Sequence, residues 1–307
     1  MINICIYGVG GVGGYFGAKM LQNNVNNLYS ISFIAKGAHL EKIKQDGLKL
    51  LYNDNEYIAK PAFAETDIKK IPSPDLIVLC VKSYALGSAM ENIKDIITDD
   101  TIILPLLNGM DIPDRIRKIC TKGIVLPACV YIGTHIDQLG VIRQNGANGK
   151  IVFGDDKING SYGALKTQEV LKNLNIDHVY LSNADAEIWS KYLFIAAYGT
   201  VTASTGKTLG EIYENEQLRA DVKGIMDEIL MLAKRKGVDL DEEAVTTALN
   251  KAALFPYETK TSFQRDIEEP GKMNEKELFV DAILNLSDEF HVDVPNMKRY
   301  NEILINN

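Results

Sequence analysis

The chain has 307 residues, of which 46% are hydrophobic and 24% are charged, and its formal net charge is −8. This length predicts two domains, the acidic balance argues against nucleic acid as the principal partner, and the chain lacks the run of about 18 apolar residues that a membrane span requires. Four cysteines without C-x-x-C pairing and four scattered histidines predict neither a disulfide framework nor a metal site. With no basic leader at its N-terminus, the chain is expected to be cytoplasmic.

The first forty residues contain no Asp or Glu and include the clearest motif of the chain. An apolar strand is predicted over Ile2–Tyr7 and a helix over Val12–Leu21. Between them, Gly8-Val9-Gly10-Gly11-Val12-Gly13 has the spacing G-x-G-x-x-G. In such a motif the first glycine permits a tight turn, the second lets a pyrophosphate approach the backbone, and the third lets the helix pack on the strand. The sequence therefore predicts a dinucleotide-binding turn.

The end of the second predicted strand bears on which dinucleotide binds. This strand covers Ser30–Ala35 and is followed by Lys36, with no acidic residue before Glu41. An NAD site usually has an acid here that binds the ribose 2′-hydroxyl, whereas a 2′-phosphate is negatively charged and would be attracted by a lysine. The pattern favours NADP(H), although Lys36 is also typical of a solvated loop. His39 either adds to the phosphate site or is a surface histidine.

The first half of the chain alternates strands and helices. Nearly continuous apolar runs predict strands buried on both faces, and Asn145-Gly146 predicts a turn between two late strands. The remaining predicted elements of this half are a helical turn at His39–Asp46 and strands at Leu48–Tyr52 and within Asp75–Lys82, Thr101–Asn108 and Ile124–Ile132. We predict an α/β domain over 1–181, a Rossmann-type doubly wound sheet with an irregular far edge.

From Ser182 onward the apolar residues recur with a helical period. Ser182-x-x-Asp185 resembles a capping box, and Gly237 is a helix stop after a helix over Glu216–Lys236. Further helices are predicted over Glu242–Leu254 and Glu275–Phe290. We predict that 182–307 form an all-helical domain, with a ligand cleft between the two domains at the carboxyl ends of the strands.

Three polar residues follow buried strands of the predicted sheet. These are Lys36, Lys82 and Asn108. Ligands of doubly wound sheets bind at the carboxyl ends of the strands, so these residues are candidates for contacts with a cofactor or a substrate. Two simpler interpretations remain, since Lys82 would also suit a strand end that reaches solvent and Asn108-Gly109 a generic turn.

Six short segments are distributed over nearly the whole length of the chain: GVGGVG, Cys80-Val81-Lys82, Leu107-Asn108-Gly109-Met110, Ala186-Glu187-Ile188-Trp189-Ser190-Lys191, Thr261-Ser262-Phe263-Gln264-Arg265-Asp266 and Gly271-Lys272-Met273-Asn274-Glu275. In sequence and in order, these segments resemble those of the ketopantoate reductase family. The resemblance implies NADPH-dependent reduction of a small-molecule 2-oxo acid, by default 2-dehydropantoate to pantoate in pantothenate and coenzyme A biosynthesis. The sequence does not decide the oligomeric state, for which a homodimer is one possible assembly.

The resemblance also implies roles for individual residues. Lys191 resembles the general acid, and Glu275 the acidic partner that orients it; one extra residue before Gly271 leaves Glu277 as a substitute. Ser262 resembles the hydroxyl that binds the substrate carboxylate. Asn108 resembles an amide shared by cofactor and substrate, and Lys82 a cofactor-side lysine. From the residues alone, Lys191 would also suit a helix surface and Glu275 a first helical turn.

The chain departs from the family four and eight residues after the lysine. The family commonly has asparagine at both positions, where this chain has Ile195 and Gly199. These positions share a helix face with Lys191, so the predicted substrate pocket loses two hydrogen-bonding groups and gains an apolar wall and room. A bulkier or more apolar 2-oxo acid is therefore an alternative substrate, and a non-catalytic NADP-binding regulatory protein is a further alternative. Tyr198 either supplies a replacement hydroxyl or is a core aromatic.

Overall fold

The computed structural model describes residues 1–269, 271 and 273–306. The chain divides into two compact units, 1–184 and 185–307. Among the described residues, no helix combines the length and the apolar character needed to cross a membrane.

The first unit contains two β-sheets. Its strands are β1 Ile2–Tyr7, β2 Tyr29–Ile34, β3 Leu48–Tyr52, β4 Asn55–Ala59, β5 Phe63–Glu65, β6 Leu76–Leu79, β7 Ile102–Pro105, β8 Ile124–Val125, β9 Ala128–Gln138, β10 Val141–Gly154 and β11 His178–Leu181. The larger sheet has the order β5-β2-β1-β6-β7-β8, with parallel pairing throughout. The chain moves outward from β1 in both directions, which confirms the predicted doubly wound sheet.

The first helix of this unit lies between the two sheets. The helices are α1 Gly11–Asn23, α2 Gly37–Asp46, α3 Leu86–Ile93, α4 Ile112–Arg117 and α5 Tyr162–Asn173. Helix α1 contacts β1 and β2 of the larger sheet and β3, β4, β9 and β10 of the smaller one. Small residues permit this double contact: a methyl group on Gly14 would come within 2.5 Å of Ile142, and one on Gly17 within 2.7 Å of Phe33.

The smaller sheet corrects the predicted turn at Asn145-Gly146. Its order is β11-β10-β3-β4, and β9 pairs antiparallel with β10. Strand β10 runs without a break from Val141 to Gly154, and the pairing register shifts between Asn145 and Lys150. The hairpin turn lies earlier, where Gly140 has φ +75°. Gly146 also has φ +75°, because a β-bulge uses left-handed glycine as readily as a turn does.

The apolar run Ile124–Ile132, predicted as one strand, is divided between the two sheets. Strand β8 ends at Val125 on the edge of the larger sheet, and β9 begins at Ala128 in the smaller one. Pro127 lies between them and has no N–H group to continue a strand ladder. The prediction of a single strand was therefore wrong.

The second unit consists of helices, as predicted. They are α6 Asp185–Thr205, α7 Leu209–Glu214, α8 Glu216–Arg235, α9 Glu242–Asn250, α10 Ser262–Glu268, α11 Ala282–Phe290 and α12 Pro295–Asn306, with a π-helical segment over Glu277–Asp281. Helix α6 is central, since it contacts α8, α9, α10 and α12 and is buried on most of its surface. A helix that is apolar on all sides is expected in such a position.

The helix ends agree with the sequence signals at α8 and disagree at α6. Gly237 has φ +79° and donates to the carbonyl of Lys234, while Val238 donates to Ala233, which is the Schellman arrangement. Helix α6 begins at Asp185, so Ser182 lies three residues outside it and is not its N-cap. The sequence has the spacing of a capping box, but strand β11 extends to Leu181, so the helix begins only at Asp185.

Candidate functional site

The turn between β1 and α1 has the geometry that its glycines predict. Gly8 has φ +95°, and a methyl group there would lie 2.9 Å from the carbonyl oxygen of Cys80. A methyl group on Gly13 would overlap the carbonyl oxygen of Gly8. Both positions require glycine because of the protein's own backbone.

Gly10 is different, because nothing in the described protein requires glycine there. It is the N-cap of α1 with φ −83°, and a methyl group on it would meet no atom within 4 Å. The backbone N–H groups in the first turn of a helix have no partner within the helix, and together with the helix dipole they attract phosphate. The open space beside Gly10 therefore fits a dinucleotide pyrophosphate.

The smaller sheet supports this turn, a feature that the sequence did not reveal. A methyl group on Gly11 would lie 2.9 Å from the carbonyl oxygen of Thr134. The Thr134 hydroxyl lies 3.2 Å from the carbonyl oxygen of Gly11 and 3.0 Å from that of Arg143, so its single proton is shared between these two acceptors. Val9 is buried and Val12 packs against the core. Val9 can therefore contact a bound cofactor mainly through its backbone atoms, whereas Val12 is half-buried and keeps part of its side chain exposed.

The structure brings the three post-strand residues to one edge of the larger sheet. Lys36, Lys82 and Asn108 follow β2, β6 and β7. Strands β2 and β6 flank β1, and β7 pairs with β6, all in parallel. Lys36 is exposed and is the N-cap of α2, Lys82 is exposed, and Asn108 is half-buried before Gly109 with φ +126°. All three lie at the carboxyl edge of the sheet, as does the glycine turn.

His39 is half-buried and bonded, so it is not a freely solvated surface histidine. Its Nδ1 accepts a hydrogen bond from the backbone N–H of Gly140 at 3.0 Å. Burial lowers the pKa of His39 below its ordinary value of 6.5. At neutral pH the ring is therefore uncharged, with its proton on Nε2, and it links α2 to the β9–β10 hairpin.

In the helical unit, the lysine and the two departing positions lie along α6. Lys191 is 9% exposed, Ile195 is half-buried, and Gly199 is buried. A methyl group on Gly199 would lie 3.8 Å from the Cβ of Phe263. The face of α6 that carries Gly199 is thus directed toward α10, the helix whose first residue is Ser262.

Tyr198 does not supply a hydroxyl to this face. Its Oη donates to the backbone carbonyl of Leu249 at 2.8 Å. Burial raises the pKa of the Tyr198 phenol above its ordinary value. Of the two interpretations of Tyr198, the core aromatic is the one that the structure supports.

The two candidate acidic residues, Glu275 and Glu277, differ in how far they are buried. Glu275 is 4% exposed, whereas Glu277 is exposed. The carbonyl of Glu275 accepts hydrogen bonds from Leu278 and Phe279, at the start of the π-helical segment. Such segments are frequent at functional sites. The helix predicted over Glu275–Phe290 is present from Lys276 onward, but its first part, Glu277–Asp281, is π-helical and continues directly into α11.

Two threonines near Ser262 form a contact that the sequence did not indicate. Thr261 is the N-cap of α10 and accepts a hydrogen bond from the N–H of Gln264, and its hydroxyl lies 2.8 Å from that of Thr202 on α6. The spacing Thr261-x-x-Gln264 matches a capping box and could have predicted the start of α10.

Comparisons with known proteins give consistent results over both units. The family model described as ketopantoate reductase PanE/ApbA matches residues 4–157, and the model of the C-terminal part of that family matches residues 183–305. The chain is 25% identical over 263 residues to the uncharacterised oxidoreductase YkpB of Bacillus subtilis (strain 168), covering 86% of this chain and 85% of that protein.

Two further comparisons extend over more than nine-tenths of this chain. The chain is 26% identical over 308 residues to a 2-dehydropantoate 2-reductase of Mesorhizobium japonicum, covering 93% and 91% of the two chains. A solved structure of D-mandelate dehydrogenase with NADH and anilino(oxo)acetate has a TM-score of 0.86 at 20% identity and covers 99% of this chain and 98% of that one. The latter shows that the fold is shared.

Proposed function

This chain belongs to the ketopantoate reductase family of NAD(P)-dependent 2-oxo acid reductases, and we propose that it uses NADPH, with 2-dehydropantoate as its default substrate. It is an oxidoreductase of that family. The product would be pantoate, a precursor in pantothenate and coenzyme A biosynthesis, which implies a cytoplasmic enzyme.

Gly10 carries the cofactor part of the proposal. Gly8 and Gly13 are required by the protein's own packing, but Gly10 faces open space at the N-terminus of α1. A glycine that the protein itself does not need is explained by a ligand whose phosphates approach the backbone there. We propose that 8–13, Lys82 and Asn108 hold the dinucleotide.

Lys36 supports NADPH over NADH. It is exposed at the N-cap of α2, whose first turn contains no acidic residue. An ammonium group and the N-terminus of a helix both favour a 2′-phosphate, whereas nothing at this position would accept a hydrogen bond as the usual acid does. Because the D-mandelate dehydrogenase structure contains NADH, the two cofactors must be tested in parallel.

We propose that three side chains, Lys191, Ser262 and Asn108, take part in the reduction. When bound, the nicotinamide supplies a hydride to the carbonyl carbon of the substrate. We propose that Lys191, as an ammonium, stabilises the developing alkoxide oxygen and then donates its proton to it. Ser262 and Asn108 would orient the substrate by hydrogen bonds to its carboxylate and carbonyl groups.

Glu275 is the acidic residue that we assign to orient Lys191. A carboxylate that is 4% exposed is costly unless it is paired or hydrogen-bonded, while Glu277 is exposed. Replacement of Glu275 by Gln should therefore reduce kcat by about 10²-fold, since misplacing a reacting group such as Lys191 by about 1 Å can cost that much. Glu277→Gln is the matched control, and it should retain kcat.

A second candidate substrate follows from Ile195 and Gly199. These residues replace two amide side chains of the family with an apolar group and with space, and Gly199 faces Phe263. A pocket without hydrogen-bonding groups does not select strongly for a substrate hydroxyl. A 2-oxo acid with a larger apolar group, of the kind bound by D-mandelate dehydrogenase with anilino(oxo)acetate, is the alternative.

The test is consumption of NADPH, and of NADH in parallel, with 2-dehydropantoate and a panel of 2-oxo acids that carry branched or aromatic side chains. A kcat/KM of about 10⁴ M⁻¹s⁻¹ or more for 2-dehydropantoate would rule out the alternative substrate. Lys191→Ala should abolish turnover while leaving NADPH binding, followed by fluorescence titration, nearly intact. Unchanged turnover in that variant would refute the assignment of the general acid.

A further inference from the structure

Helices α6 and α10 are joined by two threonine hydroxyl groups. The Oγ1 of Thr202 lies 2.8 Å from the Oγ1 of Thr261 and 3.1 Å from the carbonyl oxygen of Gly199. The backbone N–H of Gln264 donates to the Oγ1 of Thr261 at 3.2 Å. Thr202 is fully buried, whereas Thr261 is half-buried, so the contact with the Gly199 carbonyl is shielded from water and the other two contacts are partly shielded.

Only one direction of donation satisfies all three contacts. The carbonyl of Gly199 can only accept, so the proton of Thr202 must point toward it. The Thr202 oxygen then accepts from Thr261, and the Thr261 oxygen accepts from Gln264. The result is a continuous chain of hydrogen bonds from the first turn of α10 to the carbonyl of Gly199, which we call the hydroxyl chain.

The hydroxyl chain ends next to Ser262, the residue assigned to substrate binding. Thr261 is the N-cap of α10, and Ser262 is the first residue of that helix. At its other end is Gly199, which shares a face of α6 with Lys191 and Ile195. Gly199 has no side chain with which to reach α10, so its connection to α10 runs through its carbonyl group and Thr202.

We propose that Thr202 is a positioning residue for the 2-oxo acid. Through Thr261 it fixes Ser262 relative to the face of α6 that carries Lys191. This inference rests on the proposed function, in which Ser262 binds the substrate carboxylate. Thr202 itself does not touch the substrate, so its loss should weaken substrate binding more than it slows the chemical step.

The experiment compares Thr202→Val, which removes the hydroxyl at nearly constant volume, with Thr202→Ser, which keeps it. In Thr202→Val, KM for the best 2-oxo acid of the panel should rise about tenfold, the effect of losing one hydrogen bond. The kcat should stay within about twofold, because the lysine is untouched. The Kd of NADPH should not change, and Thr202→Ser should restore the wild-type KM.

Thr205→Val is the matched control on the same helix. The Thr205 hydroxyl donates to the carbonyl of Val201 within α6 and takes no part in the hydroxyl chain. Its loss should leave KM unchanged. An equal rise in KM for Thr205→Val would overturn the proposal, since it would show a general effect of weakening α6.

A double substitution tests whether Thr202 acts through Ser262. Residues that act on one contact are not additive, so Thr202→Val should add nothing to KM in a Ser262→Ala background. If Ser262→Ala raises KM but Thr202→Val does not, this inference fails and the proposed function stands. If Ser262→Ala leaves KM unchanged, the assigned role of Ser262 in the proposed function fails instead. Thr202→Ala replaces Thr202→Val in all arms if the valine variant does not fold.

Discussion

The hydroxyl of Tyr192 donates a hydrogen bond of 2.6 Å to the backbone carbonyl of Leu278. Tyr192 follows Lys191 on α6, and Leu278 lies in the π-helical segment that follows Glu275. Both side chains are almost completely buried. One hydrogen bond therefore links the side chain next to the proposed acid with the backbone that follows its proposed partner.

Tyr192→Phe should lower both stability and kcat. The substitution leaves a buried carbonyl without this donor, which costs about 1–3 kcal/mol in the free energy of unfolding. Without this hydrogen bond, the π-helical segment is no longer held at one distance from α6. Glu275 is then positioned less precisely relative to Lys191, so kcat should fall. Urea unfolding and steady-state kinetics measure the two effects.

Tyr198→Phe is the control for this prediction. Tyr198 lies on the same helix and donates to the carbonyl of Leu249 at 2.8 Å, away from the π-helical segment. It should show a loss of stability without a comparable loss of kcat. Equal losses of kcat in the two variants would contradict the proposed link between Tyr192 and Glu275.

Alanine substitution at two glycines of the turn should affect different properties, stability in Gly13→Ala and NADPH affinity in Gly10→Ala. In Gly13→Ala the added methyl group would overlap the carbonyl of Gly8, so we expect destabilisation by about 3 kcal/mol or more. In Gly10→Ala the methyl group meets no protein atom within 4 Å. Its stability should stay within about 0.5 kcal/mol of wild type, while the Kd of NADPH rises at least tenfold. Thermal unfolding and fluorescence titration distinguish them; unchanged NADPH affinity in Gly10→Ala would refute the pyrophosphate site.

Lys36→Glu should reverse the cofactor preference without changing stability. The side chain is exposed, so the substitution alters mainly the charge that a 2′-phosphate meets. The KM for NADPH should rise about 10–100-fold, equivalent to about 1.4–2.7 kcal/mol, and the effect should shrink at high salt. Lys70→Glu changes an exposed lysine before β6 and is the control, with KM for NADPH expected to stay at the wild-type value.

The stability of the first unit should depend on the protonation of His39. Its folded-state pKa lies below 6.5 because the ring is buried. The unfolded chain therefore binds a proton more readily, and stability falls as the pH drops below 6.5 through the folded pKa. Protonation of Nδ1 would also end its hydrogen bond with Gly140.

His39→Gln removes this titration, and its amide oxygen can still accept from Gly140. Between pH 7 and 5, the free energy of unfolding of wild type should fall more steeply than that of His39→Gln. Parallel slopes across this range would show that His39 contributes nothing to the acid sensitivity. Urea titrations at each pH give the two curves.

Several features of the fold and site could be predicted because each depends on residues close together in the chain. The glycine turn after β1 follows from the spacing of Gly8, Gly10 and Gly13, and the end of α8 from Gly237. Buried parallel strands appear as apolar runs, as at β6 and β7. Other predictions failed where one local signal serves two structures: Asn145-Gly146 suits a bulge as well as a turn, and the spacing after Ser182 does not reveal where β11 ends.

The sequence by itself determined the glycine turn between β1 and α1, the buried strands that appear as apolar runs and the residues that follow those strands, since short-range sterics and hydrophobic periodicity are encoded locally. Only the tertiary structure decided that β9 supports the turn through Thr134, that Glu275 is buried while Glu277 is exposed, and that Thr202 meets Thr261. These contacts join residues up to 123 positions apart. Their formation depends on how helices and sheets pack, and one residue's neighbours along the chain carry no information about that.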